Sequence, residues 1–366
     1  MRTISALILL LTLNNLYSKS QPVLKGRLDS FFNSQSTGKP GFVLSIEKHG
    51  GIIYRNAVGL ADTRTGQPLD STTNFRMASV TKQFTAMGIL LLERSGALGV
   101  DDPIGRWLPE LPARIGRTMH IRHLLTHTSG LLDYEELIPP TQTTQVLDAD
   151  VLRLLSTHDS TLFTPGARFR YSNSGFCLLA LIIERASHKT YPEYIKENIF
   201  QPLRMDSSAV YIPDTYIPHR SMGFATDSAG RIYPNDQSIT SATKGDGGVY
   251  TSLIDYAKWT RALQQNKLIN LPATLKRLRF PITGNNKNFY AAGWFISLDP
   301  PLLLFHSGST CGFNNFVVQL PADELSIVFF SNSADNKKNF ETITNILKTE
   351  NLADLTPIFH LHDLTR

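Results

Sequence analysis

Cysteine is scarce: Cys177 and Cys311 are the only two in 366 residues, so no disulfide framework holds this chain. They form either one bridge or two free thiols, each a few residues past a segment singled out below. Long apolar runs are scarce as well. The one at the start, Ile4 to Leu13, falls short of the roughly 20 residues that cross a bilayer. With Arg2 before it and Ser18-Lys19-Ser20 after it, ahead of Gln21, residues 1–20 read as an export signal. A retained N-terminal anchor is the alternative. No cysteine follows the apolar core to carry a lipid. Dense basic stripes are missing too. The formal charge is +5 and the pI about 9.1, and Arg2 and Lys19 account for two of those charges. Without a Lys/Arg stripe interleaved with aromatics there is no case for a nucleic-acid partner. Internal repeats and low-complexity tracts are absent. An exported protein, periplasmic or secreted, is expected.

Organisation follows from periodicity. Phe42 to Glu47 alternates as a strand does, and Gly50-Gly51 turns it into a second strand, Ile52 to Val58. From Ser79 to Leu92 apolar residues recur at threes and fours almost all round, which describes a buried helix ended by Ser95-Gly96. Residues 119–126 and 174–187 are helical candidates. Strand signals return at Tyr290 to Leu298, Leu302 to His306, Phe313 to Leu320 and Leu325 to Phe330, followed by an amphipathic helix from Asn339 to Leu347. The expected fold is α/β of the α+β type. Its antiparallel sheet comes from N- and C-terminal strands flanked by helices, with a mostly helical lobe inserted. The expected bounds are a sheet lobe of 21–100 plus 240–350, a helical lobe of 101–239 and a tail of 351–366.

Three short groups carry the chemistry. In Ser79-Val80-Thr81-Lys82 the helical spacing puts an ammonium within reach of a hydroxyl. The helix start there favours an oxyanion. Lys82 shares a face with Ala86 and Ile89, and a buried lysine without a carboxylate needs a reason to be there. In Tyr171-Ser172-Asn173, an extended triplet feeding a helix, alternate side chains Tyr171 and Asn173 line one cavity. His306-Ser307-Gly308 ends an apolar strand, where Gly308 admits a substrate backbone and the N–H of Ser309 joins that of Ser79 in an oxyanion hole. Each group alone is equally well explained by a cap or a packed residue. Other Ser-x-x-Lys groups fail on context: Ser36–Lys39 is a loop, and Ser45 and Lys48 lie on opposite faces of a strand. Ser241–Lys244 has the same spacing.

Together with Phe75 to Lys82, His123 to Gly130 and Gly245 to Gly248, the ordered set resembles the serine β-lactamase and penicillin-binding protein superfamily. The likeness is to its class C-like branch, which includes D-alanyl-D-alanine carboxypeptidases, D-aminopeptidases and esterases, and it covers residues 25–348. The resemblance implies an acylated Ser79, with Lys82 and Tyr171 as proton-transfer partners. It makes Asn173 a contact for Lys82 and substrate, and His306, Ser307, Gly308 and Ser309 the substrate-docking strand. One position departs: the β-lactamases carry lysine where this chain has His306. An unperturbed imidazole is largely neutral at pH 7, so a substrate carboxylate loses a fixed positive partner there.

His123 and His127, four apart, lack the glutamate of a metalloprotease helix. They are expected to lie on a helix stopped at Gly130, so no metal is assigned, and no cofactor. The Gly245–Gly248 loop lacks a P-loop ending and is read as a turn feeding a helix capped by Ser252. The expected activity is a serine hydrolase acting on small-molecule or peptide substrates, with cell-wall-derived peptides, esters and β-lactams as candidates. No obligate protein partner is expected. The rival is a non-catalytic penicillin-binding or sensor protein of the same fold.

Overall fold

The computed structural model describes residues 22–363 apart from 285 and 300; the expected export segment 1–20 lies outside the described residues. Eight strands form one antiparallel sheet. They are β1 (Phe42–Lys48), β2 (Gly51–Val58), β3 (Phe280–Pro281), β4 (Asn288–Ala291), β5 (Trp294–Ser297), β6 (Leu303–Thr310), β7 (Phe313–Leu320) and β8 (Leu325–Ser331). Their order is β3-β4-β5-β6-β7-β8-β1-β2. The two ends of the chain therefore meet inside the sheet, where β1 pairs with β8 from Phe42↔Ser331 to Lys48↔Leu325.

Alternation along each central strand sends side chains to two different cores. Phe316, Val318, Leu325, Ile327 and Phe329 face an outer layer made by α1 (residues 22–33), α7 (Lys337–Thr349) and α8 (Thr356–Asp363). Val317, Val328 and Phe330 face an inner core shared with α2 (Lys82–Arg94), α4 (Asn173–Ser187) and α5 (Leu253–Gln264). With both faces covered, the central strands read as almost continuous apolar runs.

Several elements differ from expectation. The segment read as one strand from Tyr290 to Leu298 is the hairpin β4–β5, turned at Ala292-Gly293, both with positive φ. A Cβ at Gly293 would stand 2.7 Å from the backbone N of Gln83, so this turn lies against the start of α2. β6 continues past His306 to Thr310, because pairing with β7 persists to Thr310↔Phe313 although apolarity has run out. The expected helix at 119–126 contracts to α3 (Ile121–Leu125), and His127 at φ 55° ends it well before Gly130. Neither α1 nor α8 was foreseen. α8 falls in the stretch read as a tail, where Leu355 and Ile358 are buried in the outer core. Both cysteines are free. Among the described residues no helix is long and apolar enough to cross a membrane.

Candidate active site

Ser79 sits on a 3-10 turn, Ala78–Thr81, rather than within the α-helix, which begins at Lys82. The turn is entered from Phe75–Arg76, a short strand paired with Val249–Thr251. Buried Arg76 fixes that strand by donating to the carbonyl of Ser241 at 2.6 Å and to Gln237 Oε1 at 3.0 Å. Ala78, just before the serine, has φ 49°, a left-handed conformation that costs an L-residue about 1–2 kcal/mol. Strain of this kind persists only where surrounding structure enforces it. Here the enforcement comes from β6: a Cβ on Gly308 would lie 2.2 Å from the carbonyl oxygen of Met77 and 3.2 Å from the N of Ser79. Gly308 is thus required by the packing of strand on turn, a demand the sequence did not show.

Lys82 is fully buried. Its Nζ lies 3.1 Å from Ser79 Oγ, 2.8 Å from Asn173 Oδ1 and 3.0 Å from the carbonyl oxygen of Asp246. It forms no ion pair among the described residues. Three acceptors match the three N–H bonds of an ammonium. In the neutral amine, two N–H bonds serve Asn173 and Asp246 while the lone pair takes the Ser79 proton.

Tyr171 and Asn173 reach Lys82 from the start of α4. Ser172 is the N-cap, its Oγ accepting from the N–H of Gly175, so Tyr171 is still extended while Asn173 is the first helical residue. The Tyr171 ring centroid stands 5.0 Å from Lys82 Nζ, and its buried hydroxyl has no hydrogen-bond partner among the described residues. Behind it the His127 ring packs at 4.2 Å between centroids. His127 Nδ1 accepts from the N–H of Ser172 at 3.1 Å, which assigns the imidazole proton to Nε2. Burial first, then the charges of Lys82 and His306, hold the His127 pKa well below 6.5. His123 points elsewhere, its Nδ1 accepting from the N–H of His120. Among the described residues no cluster of three or more His, Cys, Asp or Glu is grouped to hold a metal ion.

The third group is brought to the same place but is presented differently. Ser309 is exposed on β6, one residue beyond the contact with the Ser79 turn. His306 is 1% exposed, walled by Tyr290 and Phe295, with Tyr171 6.3 Å away between centroids. Its Nε2 lies 3.2 Å from the Tyr290 hydroxyl and its Nδ1 2.6 Å from the Ser307 carbonyl oxygen. This imidazole is a buried, hydrogen-bonded group rather than one exposed along the docking strand. Ser307 is buried beside it.

Sequence reasoning missed four residues. Glu135 Oε1 accepts from Asn173 Nδ2 at 2.8 Å, and the protein around its carboxyl raises its pKa. It lies on a single helical turn, Tyr134–Leu137, without a readable pattern. His127 was read only as part of a helix, with no metal assigned to it and His123. Asp246 supplies a backbone carbonyl to Lys82, which no side-chain pattern announces. Buried Asp148 accepts from the N–H groups of Lys244 (3.0 and 3.1 Å) and Gly245 (3.2 Å), so it holds the loop that carries Asp246. Burial pushes its pKa up to about 7, against the pull of the Lys244 ammonium. Lys244 itself pairs with Glu184 at 3.1 Å, away from any serine nucleophile.

Comparisons with known proteins agree with this geometry. Penicillin-binding protein 4* of Bacillus subtilis (strain 168) is 32% identical over 321 residues, spanning 83% of this chain and 70% of that protein. The octameric penicillin-binding protein homologue from Pyrococcus abyssi superposes with a TM-score of 0.76 at 23% identity, over 92% of this chain and 78% of that one. The D-amino acid amidase from Ochrobactrum anthropi SV3 does so with a TM-score of 0.71 at 23% identity, over 92% and 99%. At that identity the two structures speak for the fold. The family description "Beta-lactamase" matches residues 28–351, nearly the whole described chain and all three groups around Ser79, and the chain belongs to that family.

Proposed function

We propose that this chain is an exported serine hydrolase that cleaves amide or ester bonds through an acyl-enzyme on Ser79. The observation that carries the reading is the Lys82 ammonium site, whose three acceptors within 3.1 Å include Ser79 Oγ. In this reading Ser79 Oγ gives its proton to the Lys82–Tyr171 pair and bonds to the acyl carbon. The carbonyl oxygen takes up negative charge beside the N–H groups of Ser79 and Ser309. The bond to the leaving amine or alcohol then breaks, and that group carries away a proton. Water repeats the sequence to free Ser79. Asn173 and the Asp246 carbonyl orient Lys82, and Asn173 also meets the substrate carbonyl.

The substrate reading is a D-amino-acid amide or peptide, or a simple ester, ahead of a β-lactam. The likeness to a D-amino acid amidase supports it. So does the buried His306, which leaves the docking strand without the exposed cation that would hold a carboxylate. Intact-mass analysis after exposure to a fluorophosphonate tests the core claim. One adduct is expected, mapped to Ser79 and lost with all turnover in Ser79→Ala; an adduct on Ser45 or Ser241 would overturn the assignment. Comparing kcat/KM for a p-nitrophenyl ester and a chromogenic cephalosporin tests the substrate order, with the ester expected to be the better substrate at pH 7.5.

A further inference from the structure

A cavity lies at the other end of β6 from Gly308, between the inner face of the sheet and helix α6 (Leu271–Leu278). Its volume is about 580 Å³, within the range of small-molecule sites. Leu271 and Leu275 wall it from the helix, and Ile296 and Leu304 floor it from the sheet. At the mouth stand Leu298 and Leu302, 36% and 38% exposed. Two leucines held open to water beside a hollow are poorly explained by folding alone.

The rim gives the hollow a chemistry, because it is basic. Lys276 is exposed and makes no ion pair among the described residues, and Arg279 lies 4.7 Å from the Phe289 ring centroid with no carboxylate partner among them. Arg261 reaches Glu47 only at 3.9 Å. The one acidic side chain on the lining, Glu324, is 3.5 Å from His49 on the far side.

We propose that this cavity binds a free, single-chain aliphatic carboxylate. The chain lies along Leu271, Leu275, Ile296 and Leu304, and the head group meets Lys276 and Arg279. An apolar floor alone fits any hydrocarbon; the cations at the rim, without carboxylate partners among the described residues, select an anion. The site shares no residue with the Ser79 cleft, so it stands whether or not the hydrolase reading does.

Isothermal titration of the full chain with decanoate and with decanol tests it. Decanoate should bind one-to-one and saturably, at least about tenfold tighter than decanol. Lys276→Glu, an exposed change that spares the fold, should weaken decanoate about fivefold or more and leave decanol within about twofold. Leu302→Trp, which fills the mouth, should weaken both ligands, while Tyr171→Phe in the other cleft should weaken neither. Vesicles of phosphatidylglycerol should not displace decanoate. No saturable binding, equal weakening of both ligands by Lys276→Glu, wild-type binding by Leu302→Trp, or displacement by vesicles would each overturn the proposal.

Discussion

An ammonium shut away from water must be matched by acceptors inside the protein, and Lys82 is matched by one hydroxyl, one amide oxygen and one backbone carbonyl. None of these three acceptors is a carboxylate, although the Lys82 charge also acts on the buried Asp246 carboxyl. On the proposed mechanism Tyr171, whose ring centroid is 5.0 Å from Nζ and whose hydroxyl has no partner among the described residues, shares proton transfer with Lys82. Lys82→Ala and Tyr171→Phe should therefore be strongly non-additive: kcat/KM in the double variant is expected within about tenfold of the worse single variant. Multiplicative losses in single-turnover acylation would show two independent roles. Asp148 gives a separate expectation. Its folded pKa of about 7 lies above the ordinary 3.8, so between these values the folded state holds a proton that the unfolded state has released. Stability from this group is then greatest at low pH and is lost as pH rises through about 7. Asp246 and Glu135 are raised as well and tilt the profile the same way. Urea midpoints of Asp148→Asn relative to wild type should rise from pH 4 to pH 7; a constant difference would show that Asp148 does not titrate in that window.

At the scale of elements, the reactive geometry comes from a strand pressed against a turn. Gly308 and Ala78 are in contact range because neither carries bulk there, and the strained φ of Ala78 is the result. Gly308→Ala forces β6 off the Met77 carbonyl. The change should lower stability by about 1–3 kcal/mol, as overpacking does, and should slow acylation by separating Ser79 from Ser309. Urea unfolding together with fluorophosphonate labelling rates checks both; an unchanged acylation rate would detach this contact from the chemistry. The same contact shows what the sequence made legible. Strands β1, β2, β7 and β8, helix α4 and the buried α2 were readable because each has a clear apolar period. So were Ser79, Lys82, Tyr171 and Asn173, because spacing on a helix or an extended triplet fixes which side chains share a face. The β4–β5 hairpin was not, since its turn, Ala292-Gly293, sits within a run of strand-like residues and exists for packing on α2. Nor was the burial of His306, which depends on Tyr290 and Phe295 arriving from that unread hairpin. Glu135 and the Asp246 carbonyl act through tertiary placement alone.

Over the whole molecule, the outer core meets the site through Tyr171, which packs against it, and through Tyr290 and Phe295, which wall His306. Its helices α1, α7 and α8 supply none of the hydrogen-bond partners of Lys82 Nζ. Phe340 of α7 is fully buried and stacks on Phe316 with ring centroids 4.1 Å apart and planes at 4°. Phe340→Ala should therefore destabilise by about 3–5 kcal/mol yet leave kcat/KM of the folded fraction within about twofold. A change in KM as large as the change in urea midpoint would show that the outer layer does shape the cleft.

The joining of β1 to β8 also sets a clock on biosynthesis. The N–H of Gly41 donates to Asn332 Oδ1 across 291 residues of sequence, and until the distant strand is made, the inner edge of the β1–β2 hairpin has no neighbour. At ribosomal speeds of about 5–20 residues per second, that edge waits roughly 15–60 s for its partner. During that interval the hairpin is an open template for chaperones, for export machinery that takes unfolded chains, or for a second nascent copy. The closed sheet is available only to a chain that has been finished.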